Sequence, residues 1–345
     1  MFKIVLLVIF ISLLFSFAFN CNNNSVAPPE DQPGRRDYTW TVDTVNYPNS
    51  INRLWGSSPS GLWAVGPAGN LKKTIWHYDG EKWSTDGIFR LISATSIFGF
   101  SKYNVFIGTH GGQIWHFDEN GWKEIAALTK DGNSNIGFEN IWGESPNDFY
   151  VFGAYPDERG YSNNSVIAHY SENKWIMLET IGLAGCVERF YRDNLFGEFY
   201  IRTNRIGGGA FPDSNLVYEY RNGKYNKIYN SVWTKGLQSD ISLINGEVYF
   251  ILENKIAKRV NNQFQTFLEV DNPNFYQRIW GRSSKDIFFS MTDGLVHYNG
   301  TDMKYLFRLE KPSNYILQAS LFENEVFFLV IDYPNNLNLI YHGKI

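Results

Sequence analysis

An all-β fold built from a repeated four-stranded unit is predicted by three features of this sequence. Aromatic residues make up 17% of the 345, with 30 glycines, while charged residues reach only 19%. That balance favours short strands and tight turns over helices. Short apolar runs recur between turn residues such as Asp79-Gly80, where a hairpin needs positive φ. The same series of residue types returns at a spacing of about 40–50 residues, the length of one sheet in a radial repeat. The net charge of −4, from 31 basic and 35 acidic side chains, argues against a clustered basic face for nucleic acid. Two cysteines are too few for a disulfide framework or a Cys-rich zinc site.

The chain opens with Met1-Phe2-Lys3 and an almost wholly apolar run, Ile4 to Phe19. That run is shorter than the roughly 20 residues of a membrane-spanning helix and fits a secretory signal peptide over residues 1–20. Cys21 follows directly, with Asn22-Asn23-Asn24-Ser25 behind it. The arrangement resembles a bacterial lipoprotein signal, with Ala18 and Asn20 standing where that family usually has Leu and a small residue. The resemblance implies lipidation of Cys21, export, and attachment at the outer membrane or cell surface, with a periplasmic location also open. An ordinary cleaved signal peptide is the alternative. Residues 21–37 are polar and Pro-rich and read as a flexible tether. With Cys21 acylated, Cys186 has no disulfide partner and reads as a small buried hydrophobe.

The remainder, 38–345, is repetitive. Its first unit runs Leu54-Trp55-Gly56-Ser57-Ser58-Pro59, then Gly61-Leu62-Trp63-Ala64-Val65, then Ile75-Trp76-His77-Tyr78-Asp79-Gly80, and ends at Trp83. Clear copies begin at Ile97-Phe98-Gly99, Ile141-Trp142-Gly143 and Ile279-Trp280-Gly281, and weaker ones are anchored at Phe190, Ser242 and Ser320. Each unit offers four short strands, and one such sheet cannot bury both of its faces alone. Radial packing solves that, so the prediction is a seven-bladed β-propeller of four-stranded antiparallel blades. The last unit stops at Ile345 after its third strand, while Tyr38-Thr39-Trp40-Thr41-Val42 precedes the first. The N-terminal strand is therefore expected to complete the last blade and close the ring.

The Ile-Trp-Gly-x-Ser-Pro, Val-Tyr-x-Val-Gly and His-Tyr-x-Gly-x-x-Trp elements of this repeat resemble those of bacterial lipoprotein β-propellers. Some similar sequences carry the name glucosyl transferase. The motifs of such chemistry are missing: there is no Asp-x-Asp, no phosphate-binding Gly-x-x-x-x-Gly-Lys-Ser/Thr, no His-Glu-x-x-His and no Gly-x-Ser-x-Gly. Gly207-Gly208-Gly209 precedes no helix pattern and reads as a loop. His77, His116, His169 and His297 share one place in the repeat, so they lie around a ring rather than on one metal ion. His110 and His342 look irregular. Trp55, Trp142 and Trp280 on first strands, and Trp83, Trp122 and Trp175 near fourth strands, read as packing. Asp148 and Asp286 read as turn residues. No metal and no cofactor are expected.

Loop length carries the remaining information. Turns between first and second strands are short, whereas long connections fall at Ala154–Asn164, Arg205–Ser214, Asp332–Asn338 and Thr129–Asn135. Because strands alternate in direction, these loops share one face. A binding surface is expected there, built on Tyr155, Asp157, Arg159, Tyr161, Phe211 and Asp213. The expected role is a binding or scaffolding module for a protein or glycan of the cell envelope, with membrane attachment through the lipid. The alternative is a sugar-active enzyme, a glycosyltransferase or glycoside hydrolase, with carboxylates gathered on the same face.

Overall fold

The computed structural model describes residues 32–45, 51–67, 72–233, 238–310 and 314–345. Residues 1–31, with Cys21, the expected signal peptide and most of the expected tether, lie outside the described residues. Strand β1 is Thr39–Thr44. The first array is β2 to β5, Arg53–Ser58, Gly61–Val65, Ile75–Tyr78 and Trp83–Ser84. The second is β6 to β9, Ser93–Ser101, Asn104–His110, Gln113–Asp118 and Gly121–Ala127. The third is β10 to β13, Gly137–Ser145, Asp148–Tyr155, Asn164–Ser171 and Lys174–Met177. Then come β14 to β17, Cys186–Arg192, Phe199–Arg205, Ser214–Arg221 and Lys224–Val232. Next are β18 to β21, Ser239–Ile244, Glu247–Leu252, Lys255–Val260 and Gln263–Glu269. They are followed by β22 to β25, Phe275–Ser283, Asp286–Met291, Gly294–Tyr298 and Met303–Arg308. The last three are β26 to β28, Asn314–Leu321, Glu325–Asp332 and Leu337–Lys344.

Each array is an antiparallel meander. The second and third are joined into one eight-stranded sheet by a single pairing, Gly137 with His110. The last array runs β26-β27-β28-β1, with Thr39 opposite Lys344 and Thr44 opposite Leu339. First strands pack on one another in turn, β2 on β6, β6 on β10, β10 on β14, β14 on β18, β18 on β22 and β22 on β26. Strand β26 returns to β2.

The sequence explains the layering. Second strands such as β3 and β23 are buried along their whole length, so they read as continuous apolar runs rather than alternating ones. Outer strands such as β9 are mostly exposed. Between arrays lie Phe138, Phe149, Phe288, Phe289, Phe327 and Phe328, all fully buried, each contributing about 2–3 kcal/mol by transfer from water. The Gly of the Ile-Trp-Gly element has a packing cause at Gly99. A Cβ there would come within 2.6 Å of the Trp55 ring of the preceding array.

Several expectations change in detail. Phe190 does not hold the place of Trp55 and Trp142. Tyr191 does, pairing with Tyr200 as Trp142 pairs with Tyr150, while Phe190 points into the packed core. His342 is not irregular: it lies opposite Phe327 as His169 lies opposite Tyr150 and His297 opposite Phe288. Asp148 and Asp286 are more than turn residues. Each sits two residues before that aromatic, on the same face of its strand, and accepts a hydrogen bond from the histidine Nε2 at 2.7 Å. Asn104 does the same for His116 at 3.0 Å, and Glu325 for His342 at 2.7 Å. The expected long loop at Asp332–Asn338 is a tight hairpin, because β27 extends to Asp332 and β28 starts at Leu337.

Ordered contacts also begin before Tyr38, within the expected tether. Gly34 N donates to the Lys285 carbonyl at 2.9 Å. The Arg36 guanidinium reaches Asp302 at 2.6 Å, the His297 carbonyl at 2.9 Å and His297 Nδ1 at 3.2 Å. With Arg36 donating to Nδ1, His297 carries its proton on Nε2 and donates it to Asp286.

Candidate functional site

The predicted residues lie where the loop between β11 and β12 meets the loop between β15 and β16. Asp157 organises the first loop. Its carboxylate accepts from the Asn163 amide at 2.9 Å, from Arg159 Nη2 at 3.0 Å and from the backbone N–H groups of Arg159 and Tyr161 at 2.9 and 3.0 Å. These donors, the Asn163 amide first, hold its carboxyl well below the usual range. Arg159 Nη1 crosses to the Gly207 carbonyl at 2.8 Å, and Asn163 exchanges two bonds with Ile206, at 2.8 and 2.9 Å. Asp213 accepts from Gly207 N at 2.7 Å. Phe211 lies under two guanidinium groups, with Arg205 at 3.8 Å and Arg159 at 5.1 Å from its centroid. Gly208, at φ +56°, lies so close to the Tyr161 ring that a Cβ would fall within 2.3 Å of it.

Asp157, Arg159, Tyr161, Phe211 and Asp213 are therefore brought together, as a clasp between adjacent arrays. Their polar groups are spent largely on each other. Tyr155 is placed apart, with its hydroxyl donating to Asp131 at 2.9 Å.

A second cluster, absent from the sequence expectation, lies where the first strands converge. A central cavity of about 190 Å³ is lined by residues of all seven first strands, β2, β6, β10, β14, β18, β22 and β26. The register explains its polarity. In five units the residue two before the Trp-type anchor lines this cavity, as Asn140, Arg189, Asp240, Arg278 and Gln318. A polar residue recurs two before the anchor in every unit, with Arg53 and Ser96 in the first two, and that recurrence is the sequence signal that marks the cluster.

Asp240 stands among three guanidinium groups, 3.7 Å from Arg189, 3.7 Å from Arg202 and 3.9 Å from Arg278. Burial raises its pKa, but the three cations outweigh that and hold its carboxyl low. Arg278 is pushed down to about 10, by burial and then by the like charge of Arg189. Nearby, Glu139 lies 3.3 Å from Arg53 Nη2. Burial first, and then the Glu188 carboxylate, push it up to about 7. Glu188 accepts from the Asn204 amide at 3.1 Å. Burial also pushes the free Cys186 thiol up, with help from the same two glutamates. Among the described residues no group of His, Cys, Asp and Glu is placed to hold a metal ion.

On the same face, Tyr276, Tyr315 and Tyr333 form a strip with ring centroids 5.3 and 5.5 Å apart. Tyr333 is 62% exposed and Tyr276 37%, and the positive charge of Arg278 acts on the Tyr276 hydroxyl.

No protein-family model matches the chain, and no curated protein matches it significantly. Solved structures do. One described as YCF48 bound to D1 peptide aligns with a TM-score of 0.60 at 13% identity, over 92% of this chain and 99% of that one. YCF48 from Cyanidioschyzon merolae aligns at 0.59 and 14% identity, over 87% and 98%. The WD40 β-propeller domain of Doa1 aligns at 0.59 and 10% identity, over 90% and 98%. At these identities the likeness is one of fold, and the fold of this chain is that of a β-propeller.

Proposed function

We propose that the protein is a peptide- or protein-binding scaffold that uses the face carrying the loop clasp, the cavity mouth and the tyrosine strip. In this view the ring has seven blades, closed by β1 as the outer strand of the last, which the packing of β26 on β2 supports. Export and lipid attachment through Cys21 belong to the same proposal and are supported by the apolar run ending at Phe19. The observation that carries the binding role is the exposed strip Tyr276–Tyr315–Tyr333 beside Arg278. Tyr and Arg are residues that interfaces concentrate: Tyr buries a large area with few rotamers to freeze, and Arg offers a planar fork of five donors. A solved structure of this fold is described as bound to a peptide, which favours a peptide over a glycan.

The test is retention of peptides on an immobilised library by the protein and by the double variant Tyr315→Ser, Tyr333→Ser. Loss of at least tenfold in retention by the variant is expected. Equal retention would remove the strip from the interface, and no retention at all would remove the role.

A second reading, a sugar-active enzyme, is favoured by one feature. Glu139 at about 7 beside Glu188 has the form of a raised general acid next to a second carboxylate. Turnover of a glycoside or sugar nucleotide that Glu139→Gln abolishes would establish it.

A further inference from the structure

Arg189, Arg202 and Arg278 surround Asp240, but their separations of 3.7 to 3.9 Å are ion pairs without hydrogen bonds. The hydrogen bonds these guanidiniums make go to backbone: Arg189 Nη1 to the Glu188 carbonyl at 2.8 Å, Arg278 Nη1 to the Leu317 carbonyl at 2.8 Å, and Arg202 Nε to the Ser239 carbonyl at 3.1 Å. Asp240 spends one oxygen on the N–H of Ile241 at 2.9 Å. A guanidinium has five N–H donors in a planar fork, so most of theirs lack a carboxylate acceptor at hydrogen-bonding distance.

The charge is also unbalanced. Four guanidiniums, with Arg53 included, meet three carboxylates, and Glu139 stays protonated up to about pH 7. The excess is positive, and burial and then the like charge of Arg189 make the charged form of Arg278 costly. Arg278 is also the most exposed of the three around Asp240, at 26% against 11% and 8% for Arg189 and Arg202. Aromatic walls, Trp142, Tyr191 and Trp280, limit the water that could screen it.

We infer that the Arg189–Arg278–Asp240 cluster at the mouth of the central cavity receives one carboxylate, an Asp or Glu side chain or a free C-terminus, of the bound peptide. This rests on the peptide-binding reading given under Proposed function. The volume of about 190 Å³ suits a single acidic side chain, since a whole drug-sized ligand takes about 300–1,000 Å³. A carboxylate there would accept charge-assisted hydrogen bonds from the unspent fork of Arg278 and lower the positive excess. The tyrosine strip beside Arg278 would then support the adjoining residues of the peptide.

Two measurements test this on the whole protein. The first is thermal unfolding in sodium succinate against sodium chloride at equal ionic strength. Succinate should raise the midpoint by about 4 °C at a hundredfold excess over its Kd. Arg278→Gln should remove the rise. Gln318→Glu, which supplies a carboxylate from the cavity wall, should raise the resting midpoint and abolish the response to succinate.

The second is peptide capture, comparing acidic peptides with counterparts in which Asp and Glu become Asn and Gln. An acid preference of at least tenfold, lost in Arg278→Gln, supports the assignment. Absence of both the succinate rise and the acid preference overturns it, as does persistence of either in Arg278→Gln. Capture without acid preference overturns the carboxylate pocket and leaves the peptide-binding role standing. A succinate rise with no peptide captured supports the pocket and overturns that role. Binding of polygalacturonate in place of peptides overturns the peptide as the source of the carboxylate.

Discussion

Replacing Glu139 by Gln should make the protein more stable at alkaline pH and leave it unchanged at acid pH. Glu139 is 22% exposed and is pushed up to about 7, by burial and then by Glu188. In the unfolded chain it returns to the ordinary value of 4.5. Between those two values the folded protein holds a proton that the unfolded chain has released, so stability falls as pH rises through this window. The gap from 4.5 to about 7, at about 1.4 kcal/mol per pH unit, amounts to about 3 kcal/mol lost by pH 8. For roughly 300 residues unfolding with about 2 cal/mol/K each, that is about 5 °C in the midpoint. Glutamine is neutral at every pH and imitates the protonated acid. Melting curves from pH 3.5 to 8.5, read by tryptophan fluorescence, should coincide near pH 3.5 and diverge to about 5 °C in favour of the variant at pH 8. A constant gap across the range, or a variant less stable at pH 8, would refute the electrostatic account. In the second case the contact with Arg53 outweighs the repulsion from Glu188.

Two further outcomes follow from the packing. Trp40→Ala removes the ring that β1 lays against Phe307 and Phe328, at centroid distances of 4.9 and 6.2 Å. It should cost about 3 kcal/mol, a fall of about 5 °C, and a midpoint lowered by less than about 1 °C would show that β1 is not held by this contact. Asp157→Ala unfastens the clasp. Tryptic cleavage at Arg159 should accelerate about tenfold while the global midpoint moves by less than about 2 °C, and unchanged cleavage would deny Asp157 its organising role.

The repeat was legible because the first, second, third and sixth units restate their chemistry in order: an apolar anchor with Gly, an apolar run, an aromatic beside His, and a turn. Pairing of Thr39–Thr44 with Leu337–Lys344 was likewise expected from a missing outer strand. The slip at Phe190 arose because Arg189-Phe190-Tyr191 offers two adjacent aromatics, and alternation alone cannot say which faces the cavity. Pairing with Tyr200 decides it. The histidine clamps were half visible. The Asp-x-Phe and Asp-x-Tyr pairs could be seen at Asp286 and Asp148, but that each carboxylate meets a histidine from the next strand depends on register. Loop length did locate the clasp, because residues forced into long connections must fold on something, and here each loop folds on its neighbour. The central cluster was missed for a different reason. Its members are far apart in the chain, differ in type from unit to unit, and meet only because the first strands converge.

The pairing of β1 with β28 sets the order in which this molecule can be completed. Every array but the last is assembled from strands that follow one another in the chain. The final sheet needs a strand made at the beginning and another made at the end, across roughly 300 residues, and closing that span costs about 4 kcal/mol more than closing a four-residue turn. Such a contact forms slowly and late. Until Leu337–Lys344 is available, Thr39–Thr44 has no strand to pair with, and the apolar ring of Trp40 has no seat. A chain delivered gradually, from a ribosome or through a membrane pore, would hold a row of locally finished sheets with a loose end at the front, and would become a circle only when its last residues arrive.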